Sequence, residues 1–157
     1  MTTLFVKKLE WERGEEFGDV FYPSDDFTWK EKIVKLHAWA KTQDYPFLVF
    51  MEFEDSSIEL ALTVGHFYSY MQFTCDIHSE KRSGKDVYWL VNPVGDVNEI
   101  VPFYFQTHYT EPDTTRMLPF ERILEAVEYF VNHRKFPSFI CFIDDEVNQM
   151  FVEPVNQ

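Results

Sequence analysis

Glycine and cysteine are scarce in this chain, with five and two among 157 residues. Neither a GxxxxGK[ST] phosphate loop nor a GxSxG nucleophile elbow occurs, which removes the common glycine-dependent nucleotide and hydrolase motifs. Cys75 and Cys141 sit inside apolar strand patterns and form no CxxC pair. They read as reduced core residues of a cytoplasmic protein, not as a disulfide framework or metal pair. The five histidines, His37, His66, His78, His108 and His133, make no HxxxH or HExxH spacing, so zinc has no set of ligands to favour it. Cys75 and His78 lie three residues apart at a strand end, poor geometry for a thiolate–imidazole pair. No apolar run approaches the roughly 18 residues of a membrane helix, and the opening MTTLFVKKLEWERGEE lacks the apolar stretch of a secretory signal. Basic residues are also few. Fourteen Lys and Arg face 27 acids, a net charge of -13 and a pI near 4.7. Such a chain repels phosphate backbones and anionic membranes, and basic proteins are its natural partners. The expectation is a non-enzyme with no catalytic residue, metal or cofactor.

What is present is a folding sequence, with 45% apolar residues and no repeat, low-complexity tract or Gly/Ser/Pro linker. One domain over residues 1–157 is expected. A short strand over 3–9 precedes an acidic loop, Glu10–Asp26, in which residues 9–26 hold seven acids against Arg13. Thr28 and Glu31 have capping-box spacing before Trp29, Ile33, Leu36 and Ala40, which predicts a helix over about 28–42. A second helix starts at Pro119, as first helical residue, with a stripe of Phe120, Ile123, Leu124, Val127, Phe130 and Val131. Arg134 and Lys135 at its end favour the helix dipole, and Pro137 marks the stop.

Between the helices the period changes to two. PFLVFMEFE, SIELALTVG, YSYMQFTC, DVYWLVN and IVPFYFQTH are strand candidates, and SFICFID follows the second helix. The order predicts an α+β domain, an antiparallel β-meander of about five to six strands with two packed helices. A two-residue turn at Asp55-Ser56 pairs Met51 with Leu60, Val49 with Leu62 and Phe47 with Val64. The other face then sets Glu52 across from Glu59, two like charges that cost stability unless a cation lies between them. A next turn at Gly65-His66 sets Tyr70 beside Ala61 and Gln72 beside Glu59. Glu52, Glu54, Glu59, Tyr68 and Tyr70 then share one surface, where carboxylates attract a basic partner and tyrosines supply contact area. Lysines of the first helix, or a helix laid over the face, are the alternatives that would hide it. The acidic loop, with Glu15, Glu16 and Asp19, is a second candidate contact.

Two stretches carry a family resemblance. SIELALTVGHFYSYMQFTC, in which Leu62-Thr63-Val64-Gly65 ends one strand before an aromatic one, resembles the central hairpin of the Imm1-type immunity proteins of bacterial polymorphic toxin systems. Val101-Pro102, then Pro119 and ERILEAVEYFVNHRKFPSFICF, resembles that family's Pro-initiated final helix, basic turn and last strand. Together they span roughly residues 57–143. The chain departs from the pattern at Asn132–Pro137, where the family has a threonine-glycine step, and at Phe142, where it has tryptophan. The resemblance implies a small, cytoplasmic, non-catalytic protein that binds a cognate toxin or effector domain with a basic surface, commonly a nuclease or nucleic-acid deaminase. Two other readings fit the residues. One is an acidic secretion chaperone wrapped around an effector segment; the other is a small metal-dependent hydrolase using Glu52 and Glu59. A homodimer that buries an aromatic edge strand stays open.

Overall fold

The computed structural model describes residues 3–12, 18–75, 86–105, 108–144 and 150–151. The chain is an α+β domain. Its strands are β1 (Val6–Glu12), β2 (Gly18–Phe21), β3 (Phe47–Phe53), β4 (Ile58–Val64), β5 (Tyr68–Cys75), β6 (Asp86–Val91), β7 (Phe103–Phe105), β8 (His108–Thr110), β9 (Met117–Pro119), β10 (Cys141–Asp144) and β11 (Met150–Phe151). The helices are α1 (Trp29–Ala40) and α2 (Phe120–His133). Across the sheet the order is β11-β10-β6-β5-β4-β3-β1-β2. Strands β3 to β6 form the expected meander, and short strands extend it at both ends. The IVPFYFQTH stretch is not a fifth meander strand. It folds back as the hairpin β7–β8 and touches the sheet through one parallel pairing, Phe47 with Tyr104.

Period-two patterning decides which face is covered. Phe47, Val49 and Met51 on β3 stand opposite Val64, Leu62 and Leu60 on β4, as the sequence predicts, and all six are almost fully buried. Both helices lie on that face. Ile33, Leu36 and Ala40 of α1 and Phe120, Ile123, Val127 and Phe130 of α2 join the same core. Phe130 stacks on Phe136 at 4.3 Å, and Phe73 meets each edge-on at 5.2 Å. Such ring pairs prefer offset or edge contact, so they add directional packing to plain apolar burial. Cys75 is buried, Cys141 half-buried, and both are free. Among the described residues, no helix is long and apolar enough to cross a membrane.

Helix boundaries follow their caps. Thr28 accepts from the Glu31 backbone, and the Glu31 carboxylate accepts from the Thr28 backbone, the reciprocal box its spacing predicts. Pro119 sits one residue earlier than predicted. It is the N-cap, with extended ψ, because it is also the last residue of β9 paired with Tyr68. At the other end Arg134 takes a left-handed conformation at φ 59°. Its guanidinium pairs with Asp55 in the β3–β4 turn, an attachment that offsets the cost of a side chain in that region. That turn spans four residues, Glu54–Ser57, with the Asp55 carboxylate accepting from the Ser57 backbone at 3.1 Å.

The β4–β5 register differs from expectation by two residues. Gln72 pairs with Ala61 and Thr74 with Glu59. The turn does not close at Gly65-His66: Tyr70 N–H donates to Thr63 Oγ1 at 2.9 Å and Ser69 Oγ–H to the Thr63 carbonyl at 2.5 Å. Side chains thus replace ladder partners there and lengthen the connection. A shift of two leaves every side chain on its predicted face.

His37 is buried and joins α1 to this turn. Gly65 N–H donates to its Nδ1 at 3.0 Å, and its ring stacks on Phe120 at 3.6 Å. Gly65 itself has φ 107°, and an added Cβ would lie 2.8 Å from the Ala40 Cβ. Gly65→Ala is expected to lower unfolding free energy by about 2 kcal/mol in urea titration, from left-handed strain plus overpacking.

Burial, with Lys41 and His66 nearby, pushes the His37 pKa down to about 4. The folded ring is then neutral where the unfolded one is protonated. Stability therefore falls as pH drops from about 6.5 towards 4, and this contribution levels off below. Urea midpoints across that window should decline less in His37→Gln than in the parent chain.

Candidate functional site

The face opposite the helices is divided. At one end the chain between β6 and β9 lies over it. Leu48, Ala61, Tyr70, Val101, Phe103 and Met117 form a second apolar cluster, with Phe50, Tyr68 and Trp89 packed against it. The alternative of a helix laid over this face is met in part, by a loop and hairpin instead of a helix. At the other end the face carries charge.

Strand alternation builds the charged end. On β1, Leu9 and Trp11 point into the core, so Lys8, Glu10 and Glu12 take the other face. Lys8 stands opposite Glu52, which stands opposite Glu59. Glu10 is opposite Phe50 in the next row. The four carboxylates Glu10, Glu12, Glu52 and Glu59, with Leu48, Phe50 and Trp11, line a cleft of about 240 Å³. All four acids are half-buried. The predicted Glu52/Glu59 opposition is thus present, but the cation expected between the two acids is not there among the described residues; the nearby cation is Lys8. Lys8 Nζ lies 3.2 Å from Glu52 and 3.6 Å from Glu10. It flanks Glu52 on the side away from Glu59, so it does not separate the pair. The hydrogen bond to Glu52, then the charge of Glu10, raises the Lys8 pKa. Among the described residues, Glu12 and Glu59 have no cationic partner.

The lysines of α1 do not neutralise this end, because they lie on the opposite face. Lys30 pairs with Glu128 at 3.0 Å, and Lys32 lies over the Trp11 and Phe21 rings at 5.4 and 5.3 Å. Two predicted members of the patch, Tyr70 and Tyr68, and one of the acidic loop, Asp19, fall elsewhere. Tyr70 is 4% exposed, packed against Trp89 and Phe103, and offers no contact surface. Tyr68 is half-buried at the far end of β5, six residues from Thr74 and so roughly 20 Å from the Glu59 row at strand rise. Asp19 pairs with Trp11 across β1–β2 and shares the helix face with Lys32 and Lys35. Glu54 is exposed in the turn beyond Glu52. Glu15 and Glu16 lie outside the described residues. What was read as one acidic loop is in part the hairpin β1–β2, and its Glu10 and Glu12 complete the cleft. The alternation Lys8-Leu9-Glu10-Trp11-Glu12 carried that signal.

Tyrosines do gather on the surface, but at the β7–β8 hairpin. Tyr104 lies 4.0 Å from Tyr45 and 5.3 Å from Tyr109, ring to ring. Desolvation of the phenol, then the charge of Glu111 beside it, raises the Tyr109 pKa. Chemically, the cleft offers carboxylate acceptors around one aromatic floor, which suits an arginine or lysine side chain. Among the described residues, no group of three or more His, Cys, Asp or Glu is placed to hold a metal ion. No family model, curated protein or solved structure matches the chain.

Lys8→Met removes the cation from between Glu10 and Glu52. Its thermal midpoint should fall by a few degrees at low ionic strength, and about 0.5 M NaCl should close most of the gap by screening the carboxylates from one another.

Proposed function

We propose that the chain is an immunity protein that neutralises a cognate bacterial toxin by stoichiometric binding. The observation that carries this reading is the cleft of Glu10, Glu12, Glu52 and Glu59 on a sheet face where, among the described residues, Lys8 is the one cation paired with these acids. Opposed carboxylates cost stability where they stand, and a partner's guanidinium or ammonium groups would remove that cost on binding. The net charge of -13 extends the attraction beyond contact distance. The partner is a toxin domain with a basic, nucleic-acid-engaging surface, a nuclease or a deaminase of nucleic acid, and capture takes place in the cytoplasm. Binding occludes that surface, and complementary charge speeds it. The resemblance over residues 57–143 supplies the biological setting, and the acidic cleft supplies the contact chemistry. The chain itself carries out no reaction in this reading.

The direct test is co-expression with the C-terminal domain encoded immediately upstream, with the tag on that neighbour alone. A one-to-one complex, with the neighbour toxic on its own, is the expected result. Glu12→Lys with Glu59→Lys, at the two acids that have no cationic partner among the described residues, should slow association about tenfold or more at low salt and abolish protection, while leaving the thermal midpoint unchanged or higher. Full protection by that double variant would remove the cleft from the interface.

A further inference from the structure

The connection between β6 and β7 presents aliphatic side chains to solvent. Val94 is 90% exposed, Val97 65% and Ile100 45%. A mobile loop would tuck such residues in, or let them move freely; this one is tied down. Asn92 donates from Nδ2 to the Met117 carbonyl at 3.0 Å and accepts from Val94 N–H at 3.2 Å. Asp96 N–H donates to Thr114 Oγ1 at 2.9 Å, and Thr114 N–H to the Glu99 carbonyl at 3.0 Å. Gly95 packs so closely on the 3-10 turn Thr114–Arg116 that an added Cβ would lie 2.3 Å from the Thr114 carbonyl oxygen. The sequence spends a glycine, an asparagine and a buried threonine on holding three apolar side chains in water. Held so, they lose little conformational entropy on contact with a partner.

We propose that this loop is a protein-docking element whose partner is a folded domain with an apolar depression rimmed by lysine or arginine. Asp96 and Glu99 alternate with the exposed aliphatics and are themselves exposed, so the loop presents apolar and acidic side chains side by side. A second copy of this chain would bring the same acids and the same net charge of -13 against it, and an anionic membrane would repel it likewise. A basic domain matches both parts. The loop belongs to the excursion whose Val101 and Phe103 pack with Leu48, which also lines the acidic cleft. It therefore deepens, and rests on, the binding reading above: the cleft takes cationic side chains and the loop supplies an apolar anchor.

The test uses the full chain with the upstream-encoded domain as probe. Val94→Ser with Val97→Ser, both at exposed positions, should leave the thermal midpoint unchanged and raise the dissociation constant tenfold or more, mostly through faster dissociation. Amides of residues 94–100 should gain hydrogen-exchange protection in the parent complex. If the parent binds and the double variant binds equally well, the loop proposal is overturned while the immunity reading stands. If the parent does not bind that domain, the immunity reading fails, and the loop is tested with a second probe. That probe is a short peptide alternating arginine and leucine, titrated at millimolar concentration into the isotopically labelled chain. Shift changes centred on residues 94–100 support docking of basic, apolar partners; their absence overturns it.

Discussion

The opposition of Glu52 and Glu59 across β3 and β4 follows from a choice made elsewhere in the molecule. Once Phe47, Val49 and Met51 are committed to the helix side, alternation leaves Glu52 no other face, and the same holds for Glu59 between Leu60 and Ile58. Sliding one strand by a single residue would separate the acids but would turn the whole apolar set into water. Each of those side chains contributes about 1.5–3 kcal/mol by burial, far more than one pair of half-exposed carboxylates costs. The core therefore dictates the register, and the acidic pair comes with it.

The rest of the outer face divides according to what covers it. Where Ala61 and Tyr70 lie, the chain between β6 and β9 returns over the sheet and makes a small core of its own. Where Glu52 and Glu59 lie, no such cover is present among the described residues, and strand β1 adds two more acids and Lys8. An apolar side chain at those positions would have invited the same cover. Charge keeps the cleft open, and the neighbouring cluster gives it a wall at Leu48 and Phe50.

Much of this was legible because it is local or periodic. The capping box at Thr28, the stripe of α2 and the β3–β4 pairing all follow from spacings within a few residues. The exact place of Tyr70 was not, for two separate reasons. A threonine hydroxyl substituting for a backbone partner lengthened the β4–β5 connection, and nothing in the spacing of Gly65-His66 announces that. The burial of Tyr70 depends on Val101, Phe103 and Met117, at least 31 residues away in sequence, which no periodicity of the strand itself can report. His37 was missed in the same way, since its partners Gly65 and Phe120 come from a turn and the second helix. By contrast, Glu10 and Glu12 were visible. Their alternation with Leu9 and Trp11 is a strand signal that the density of acid obscured.

A surface that holds unneutralised carboxylates close together couples recognition to stability. Among the described residues, the repulsion among Glu10, Glu52 and Glu59 is relieved on one side only, by Lys8. A partner that brings two or three cations removes the remainder, so that part of the binding free energy is the release of a cost already present in the unbound chain. Charged contacts of this kind act before the surfaces meet, which favours fast capture, whereas the aliphatic side chains at Val94 and Val97 act only once water is excluded. In the complex we propose, the two patches therefore divide the work by range: the cleft sets how often an encounter becomes a complex, and the rigid loop sets how long the complex lasts.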